Sequence, residues 1–204
     1  RVHVSSPLGH NVIANLEVDT SVSPAIRGTL IGSSLQAMRE RSLNDAYFAT
    51  LDPQYHEAIR TLIPQSWVEM PLALAHYRAM DTLITSNEEV LAIGRAVGDR
   101  VQKSYIATLI RGLKATGAVD PARVLSRAPS ISERIFRGGG VRVLRDGPKD
   151  MSVHFIGVPL CAVRYFRWGF GGVVQGGLEL VVRRVYVTPR QTSETSMALK
   201  VSWV

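Results

Sequence analysis

At Gly138-Gly139-Gly140 the spacing of apolar residues changes from the 3.6 of a helix to the 2 of a strand, and this switch divides the chain. Upstream, apolar residues recur at helical spacing. Ile26, Leu30, Ile31, Leu35 and Met38 follow Ser23-Pro24, which reads as a capping serine with a proline at the first helical position. Leu43, Ala46 and Tyr47 mark a second helix, and a third begins at Asp52-Pro53, presents Tyr55, Ile59 and Leu62, and stops at Pro64. Pro64 and Pro71 bracket a loop with Trp67 as an aromatic plug, after which Leu72, Ala75, Ala79, Met80 and Leu83 resume the period. Ser86-Asn87-Glu88-Glu89 is a capping box opening the longest helix, whose buried stripe is Val90, Ile93, Val97, Val101, Tyr105 and Leu109 and whose stop is Gly117. Gly28 and Gly32 lie one turn apart, as do Gly94 and Gly98; glycine is costly in a helix and is tolerated where another backbone approaches closely. Asp120-Pro121 and the capping box Ser130-Ile131-Ser132-Glu133 start two further helices.

Downstream, Val141 and Val143, then Met151, Val153 and Phe155, read as two strands joined by the tight loop Asp146-Gly147-Pro148-Lys149-Asp150. Pro159 starts a helix carrying Leu160, Val163, Phe166, Phe170 and Val174, which Gly171-Gly172 and Gly176-Gly177 close. Two strands finish the chain, Leu178 to Thr188 and Thr195 to Val204, the latter alternating Met197, Leu199, Val201 and Trp203 with Ser196, Ala198, Lys200 and Ser202. The expected fold class is α+β: an N-terminal helical bundle followed by a strand-strand-helix-strand-strand antiparallel sheet. Residues 1–22 are expected as an extended arm or strand, 23–137 as the helical part and 138–204 as the sheet part, all packed as one domain.

With 46% hydrophobic and 20% charged residues in 204, the chain has the composition of a folded globular protein. No apolar run reaches the length of a membrane span. Cys161 is the lone cysteine, so no disulfide can form within the chain, and a reducing, cytoplasmic setting is expected. The chain opens Arg1-Val2-His3-Val4 without an initiator methionine or an apolar signal core, which reads as a trimmed or processed start. The net charge of +7 is unevenly placed. Residues 1–119 hold 11 Lys/Arg against 11 Asp/Glu, and residues 120–204 hold 13 against 6. The basic excess suits an acidic protein partner; its scatter lacks the dense cluster of a nucleic-acid binder.

The run Asp52-Pro53…Ile63-Pro64-Gln65-Ser66-Trp67-Val68, with Ala92-Ile93-Gly94-Arg95 and Leu125-Ser126-Arg127-Ala128-Pro129…Phe136-Arg137-Gly138-Gly139, resembles a paralogous family of uncharacterised myxobacterial proteins over about residues 26–204. The helical bundle with its sheet is similar in fold to vinyl-reductase-type domains, haem nitric-oxide-binding domains and Bet3-like tethering subunits. The resemblance implies a ligand-binding or interaction domain, often a homodimer, and supplies no catalytic residues. No cofactor is assigned, haem being the one that the resemblance leaves to consider. The Tyr-x-Ser-x-Arg porphyrin clamp of the haem domains has no counterpart in this chain, and the paired cysteines of metal-binding relatives are reduced to Cys161.

The candidate site residues lie mostly after residue 150. His154 alternates with Val153 and Phe155 and faces away from them, into solvent or a pocket. Cys161 falls in the first turn of the expected helix, where the dipole favours a thiolate, or it is a small buried hydrophobe. Arg164, Tyr165 and Trp168 complete the ligand-binding candidates, and Arg167, Arg183 and Arg184 are the partner-binding ones. No histidine has metal-ligand spacing, and neither a phosphate loop nor a Gly-x-Ser-x-Gly elbow is present, so no catalytic or metal residue is assigned and the chain leans away from being an enzyme. The leading expectation is a cytoplasmic regulatory or sensory domain that takes a small hydrophobic or anionic ligand between bundle and sheet. The alternative is a scaffolding module whose basic C-terminal face docks a partner without a small ligand.

Overall fold

The computed structural model describes residues 11–15, 21–101 and 120–204. Strand β1 (Asn11–Asn15) is followed by β2 (Ala25–Arg27), α1 (Gly28–Glu40) and α2 (Asn44–Thr50). A 3-10 turn at Pro53–Tyr55, capped by the Asp52 carboxylate accepting from the Gln54 amide at 3.0 Å, leads into α3 (His56–Arg60). Next come β3 (Trp67–Glu69), α4 (Met70–Leu83), α5 (Asn87–Val101), α6 (Pro121–Leu125) and α7 (Ala128–Ile135). The chain finishes with β4 (Phe136–Arg137), β5 (Gly140–Gly147), β6 (Asp150–Ile156), a 3-10 turn at Pro159–Ala162, α8 (Arg164–Leu178), β7 (Val185–Ser193) and β8 (Ser196–Trp203). The fold is α+β, and among the described residues no helix is long and apolar enough to cross a membrane.

The main sheet runs β1-β5-β6-β8-β7, antiparallel throughout. Strand alternation sends Val141, Val143, Met151, Val153, Phe155, Met197, Leu199, Val201, Val185 and Val187 into the core, while Arg142, Tyr186, Thr188, Arg190 and Lys200 stay exposed on the opposite face. Helix α8 lies on the buried face, where Gly171 stands in ordinary van der Waals reach of Val187 and Pro189. The buried residues of helices and sheet form one contiguous cluster, in which Phe136 and Phe170 are in ring contact with each other and each with both Phe155 and Phe166.

Several local expectations are corrected. Ser23-Pro24 does not cap a helix: the Ser23 hydroxyl donates to the Ala25 carbonyl at 3.1 Å, and Ala25–Arg27 becomes a strand between β3 and β4 in a second, three-stranded sheet. Three-residue strands are too short to show a period of 2. The Ser130 box is likewise unused, because α7 already begins at Ala128 with Pro129 in its first turn. The segment after Pro159 is only a 3-10 turn; Val163 is extended (φ −88°, ψ 123°), and α8 starts at Arg164. Gly176-Gly177 sit inside α8 rather than ending it, so the next strand begins at Val185, not Leu178. The Ser86 cap holds, its hydroxyl accepting from the Glu89 amide at 3.3 Å, while the Glu89 carboxylate turns to Arg41 at 3.4 Å. Tyr105, Leu109 and Gly117 lie outside the described residues.

The paired glycines of α5 do what their spacing predicts. A methyl on Gly94 would overlap the carbonyl of Gly169, one on Gly98 would lie 2.8 Å from the Val173 oxygen, and one on Gly176 would lie 2.6 Å from the Arg95 oxygen. Gly172 meets the Leu91 carbonyl in the same way. Helices α5 and α8 therefore touch backbone to backbone.

Candidate functional site

A cavity of about 710 Å³ lies between the N-terminal helices and the sheet. Its floor is Val153 and Phe155 of β6, and α8 contributes Phe170, Val173, Val174, Gly177 and Leu178. The facing wall comes from α1 (Leu30, Ser33, Leu35), Ile59 and Leu62, and from Val124, Leu125 and Ile131 of α6 and α7. The exposed side chains Arg39, Arg60 and Arg134 also line it, so the cavity has a cationic mouth and an apolar body. No Asp or Glu is among the described lining residues. This is the size and character of a small-molecule site.

A small annex of about 40 Å³ shares Leu30, Ser33, Val97, Phe170 and Val173 with the cavity and extends between α1, α4, α5 and α8. Ser33, Ser34, Tyr77, Tyr165, Gly94 and Gly169 border it, and the surface it presents is almost wholly apolar. The Ser34 and Tyr165 hydroxyls are hydrogen-bonded at 3.2 Å. Burial raises the Tyr165 phenol, the Ser34 bond opposing that, and burial raises Tyr77 as well; both are neutral hydroxyls at ordinary pH.

Behind the annex, His76 is fully buried on α4. Its Nδ1 lies 2.8 Å from the Tyr47 hydroxyl, its ring packs edge-on against Tyr47 and Tyr77, and its Nε2 has no hydrogen-bond partner. Burial pushes its pKa down to about 3, so the ring is neutral.

The structure separates the residues singled out in the sequence. Tyr165 lines the annex, whereas His154, Cys161, Arg164 and Trp168 line neither space. His154 is half-buried on the sheet face opposite Phe155, level with Arg142 and Ala198 on the neighbouring strands. Cys161 is buried in the 3-10 turn, where burial pushes its thiol up to about 12 despite the opposing pull of Arg167. The dipole argument for a thiolate is thereby corrected, since no α-helix begins there. Arg164 ties α8 to the end of α4, pairing with Asp81 at 2.8 Å, donating to the Ile84 carbonyl at 2.5 Å and to Asn87 Oδ1 at 3.0 Å. Arg167 donates to the Cys161 carbonyl at 2.8 Å and to Gln191 at 3.1 Å, and Trp168 is partly buried against the core. Arg183 and Arg184 are exposed between α8 and β7. Among the described residues no group of three or more His, Cys, Asp or Glu could hold a metal ion.

Apart from Tyr165, sequence reading passed over the residues that line the two spaces, because α1 and α8, which supply most of them, lie far apart in the chain and the other elements lend only a few each. One signal was available: Ser34 is a polar residue on the otherwise mostly apolar buried side of α1.

The model of DUF2378, described as a protein of unknown function, matches residues 48–204, and the chain belongs to that family. No curated protein matches. Among solved structures, the Fe(II) unliganded H-NOX protein from K. algicida is similar at 11% identity and TM-score 0.62, covering 87% of this chain and 96% of that one. A mutant H-NOX from T. tengcongensis is similar at 11% identity and TM-score 0.58, covering 87% and 97%. A third, titled for modulating haem redox potential through porphyrin distortion, gives 12%, 0.55, 87% and 99%. At these identities the likeness is one of fold.

Proposed function

We propose that this DUF2378 protein is a sensory or regulatory ligand-binding domain in the cytoplasm, and that its ligand is an apolar small molecule with an anionic group. The cavity with three arginines at its mouth and no described carboxylate in its lining carries this reading. Apolar walls supply affinity by excluding water, and guanidinium groups receive carboxylate or phosphate in a fixed, bidentate geometry. The likeness in fold to H-NOX proteins, one of them described as Fe(II) unliganded, supports a ligand-binding reading.

The described lining of the cavity offers haem no axial ligand: among those residues there is no His, Cys, Met or Tyr. His76 is enclosed by tyrosines away from the cavity.

The test is fluorescence of anilinonaphthalene sulfonate, an apolar anion, with the purified protein. Saturable enhancement, displaced by dodecanoate and abolished in Val174→Trp, supports the reading. No saturable enhancement, or enhancement unchanged in Val174→Trp at unchanged Tm, overturns it.

The scaffolding alternative draws on exposed Arg183 and Arg184 beside the outward sheet face with Arg142, Arg190 and Lys200. An acidic partner docked there would be lost in Arg183→Glu/Arg184→Glu with no change in probe binding.

A further inference from the structure

We infer that Arg27 is a positioning residue of the cavity mouth: it lies outside the lining and holds at a fixed separation two of the segments whose arginines receive the anionic group. The inference rests on the proposed ligand-binding role of the cavity.

The two segments are far apart in the chain. Arg60, Leu62 and Pro64 border the cavity from the end of α3 and the loop that follows, and Ile131 and Arg134 border it from α7. Arg27, half-buried at the end of β2, lies between them and is not among the lining residues. Its Nη1 donates to the Gln65 carbonyl at 2.8 Å and its Nε to the Arg134 carbonyl at 3.3 Å, so one rigid guanidinium joins both segments. The Arg134 carbonyl is among the last four of α7, which have no intrahelical donor, and a cation there also complements the negative end of the helix dipole.

The fork is held in turn by Trp67. In the register of β2 with β3, Trp67 stands opposite Arg27, and the guanidinium carbon lies 3.9 Å from the centre of its ring, with that of Arg137 at 4.8 Å. The loop that Arg27 grips is itself a fixed body. The Ser66 amide and hydroxyl both donate to the Ile63 carbonyl, at 3.0 and 2.7 Å, and the Ser66 carbonyl accepts from the Gly28 amide at 2.9 Å. What Arg27 adds is the tie from that loop to α7, and with it the spacing between Arg60 and Arg134. A lysine at 27 keeps the charge but not the flat fork that reaches two carbonyls while lying on a ring.

The experiment titrates Arg27→Lys, Trp67→Leu and the unsubstituted protein with anilinonaphthalene sulfonate and with uncharged phenylnaphthylamine. In each variant sulfonate affinity is expected to fall about tenfold, the value of one charge-assisted hydrogen bond, while phenylnaphthylamine affinity changes by less than about twofold. Both variants keep every cation, so a loss confined to the sulfonate reports spacing rather than charge. Sulfonate affinity within about twofold of the unsubstituted protein in a folded variant overturns the inference and leaves the ligand-binding reading standing. So does an equal loss for both probes, which would make Arg27 a support of the whole cavity. Either variant decides if the other fails to fold. No saturable binding by the unsubstituted protein overturns both readings.

Discussion

Gly94 and Gly169 are in contact through their backbones, the Cα of the first facing the carbonyl of the second so closely that a methyl group on Gly94 would overlap that oxygen. Neither residue is there to bend or end a helix. Both lie inside regular helices, where glycine costs about 1 kcal/mol relative to alanine, and close approach is what offsets that cost.

Gly94→Ala is therefore expected to destabilise by more than about 3 kcal/mol, because backbone cannot yield as a side chain does. Gly177→Ala, at a position on α8 with nothing within 4 Å of an added methyl, should instead stabilise by about 0.5 kcal/mol. Thermal unfolding of the two variants checks the contrast, and similar Tm changes in both would contradict it.

His76 makes stability depend on pH with a definite sign. Its folded pKa of about 3 lies below the ordinary 6.5, so the unfolded chain binds the proton first as pH falls. Stability is fully present above pH 6.5 and declines below it, with a slope approaching about 1.4 kcal/mol per pH unit. Urea unfolding between pH 7 and 5 should show this slope, and His76→Phe should flatten it.

Arg164 is expected to act on stability. Its ion pair with Asp81 and its bonds to the Ile84 carbonyl and Asn87 hold the start of α8 on α4. Arg164→Ala should cost about 2 kcal/mol and leave the affinity for anilinonaphthalene sulfonate unchanged. Reduced affinity at constant Tm would return Arg164 to the ligand-binding role anticipated from sequence.

Arg39 and Arg60 should report on the charge of the ligand. Arg39→Glu and Arg60→Glu each place a carboxylate at the mouth and are expected to weaken sulfonate binding at least tenfold. Binding of the uncharged analogue phenylnaphthylamine should change by less than about twofold, which the same titration measures.

The sequence revealed the broad fold through the change of period at Gly138 and the clean alternation of Met197, Leu199, Val201 and Trp203. It disclosed the close packing of α5 through Gly94 and Gly98, because a costly residue repeated at one turn signals a contact. The same letter misled at Gly176, where glycine accommodates the Arg95 carbonyl and helix continues. Residues 25–27 were misread because three residues carry no period, and their strand is fixed by partners far along the chain, Val68 and Phe136. The site was hidden for a related reason. Arg39, Tyr77, Phe155 and Phe170 line it together although each, in its own segment, looks like ordinary surface or core.

The extended break at Val163 has one more consequence. It turns the chain so that Cys161 and Arg167 face each other across it, the Arg167 guanidinium holding the Cys161 carbonyl. The 3-10 turn and the first two turns of α8 are thus clasped like the two arms of a bracket, with Arg164 pinning the same helix end to α4. Helix α8 is fastened at its start to α4 and to its own preceding turn, and along its length to α5, so it is the fixed wall of the cavity.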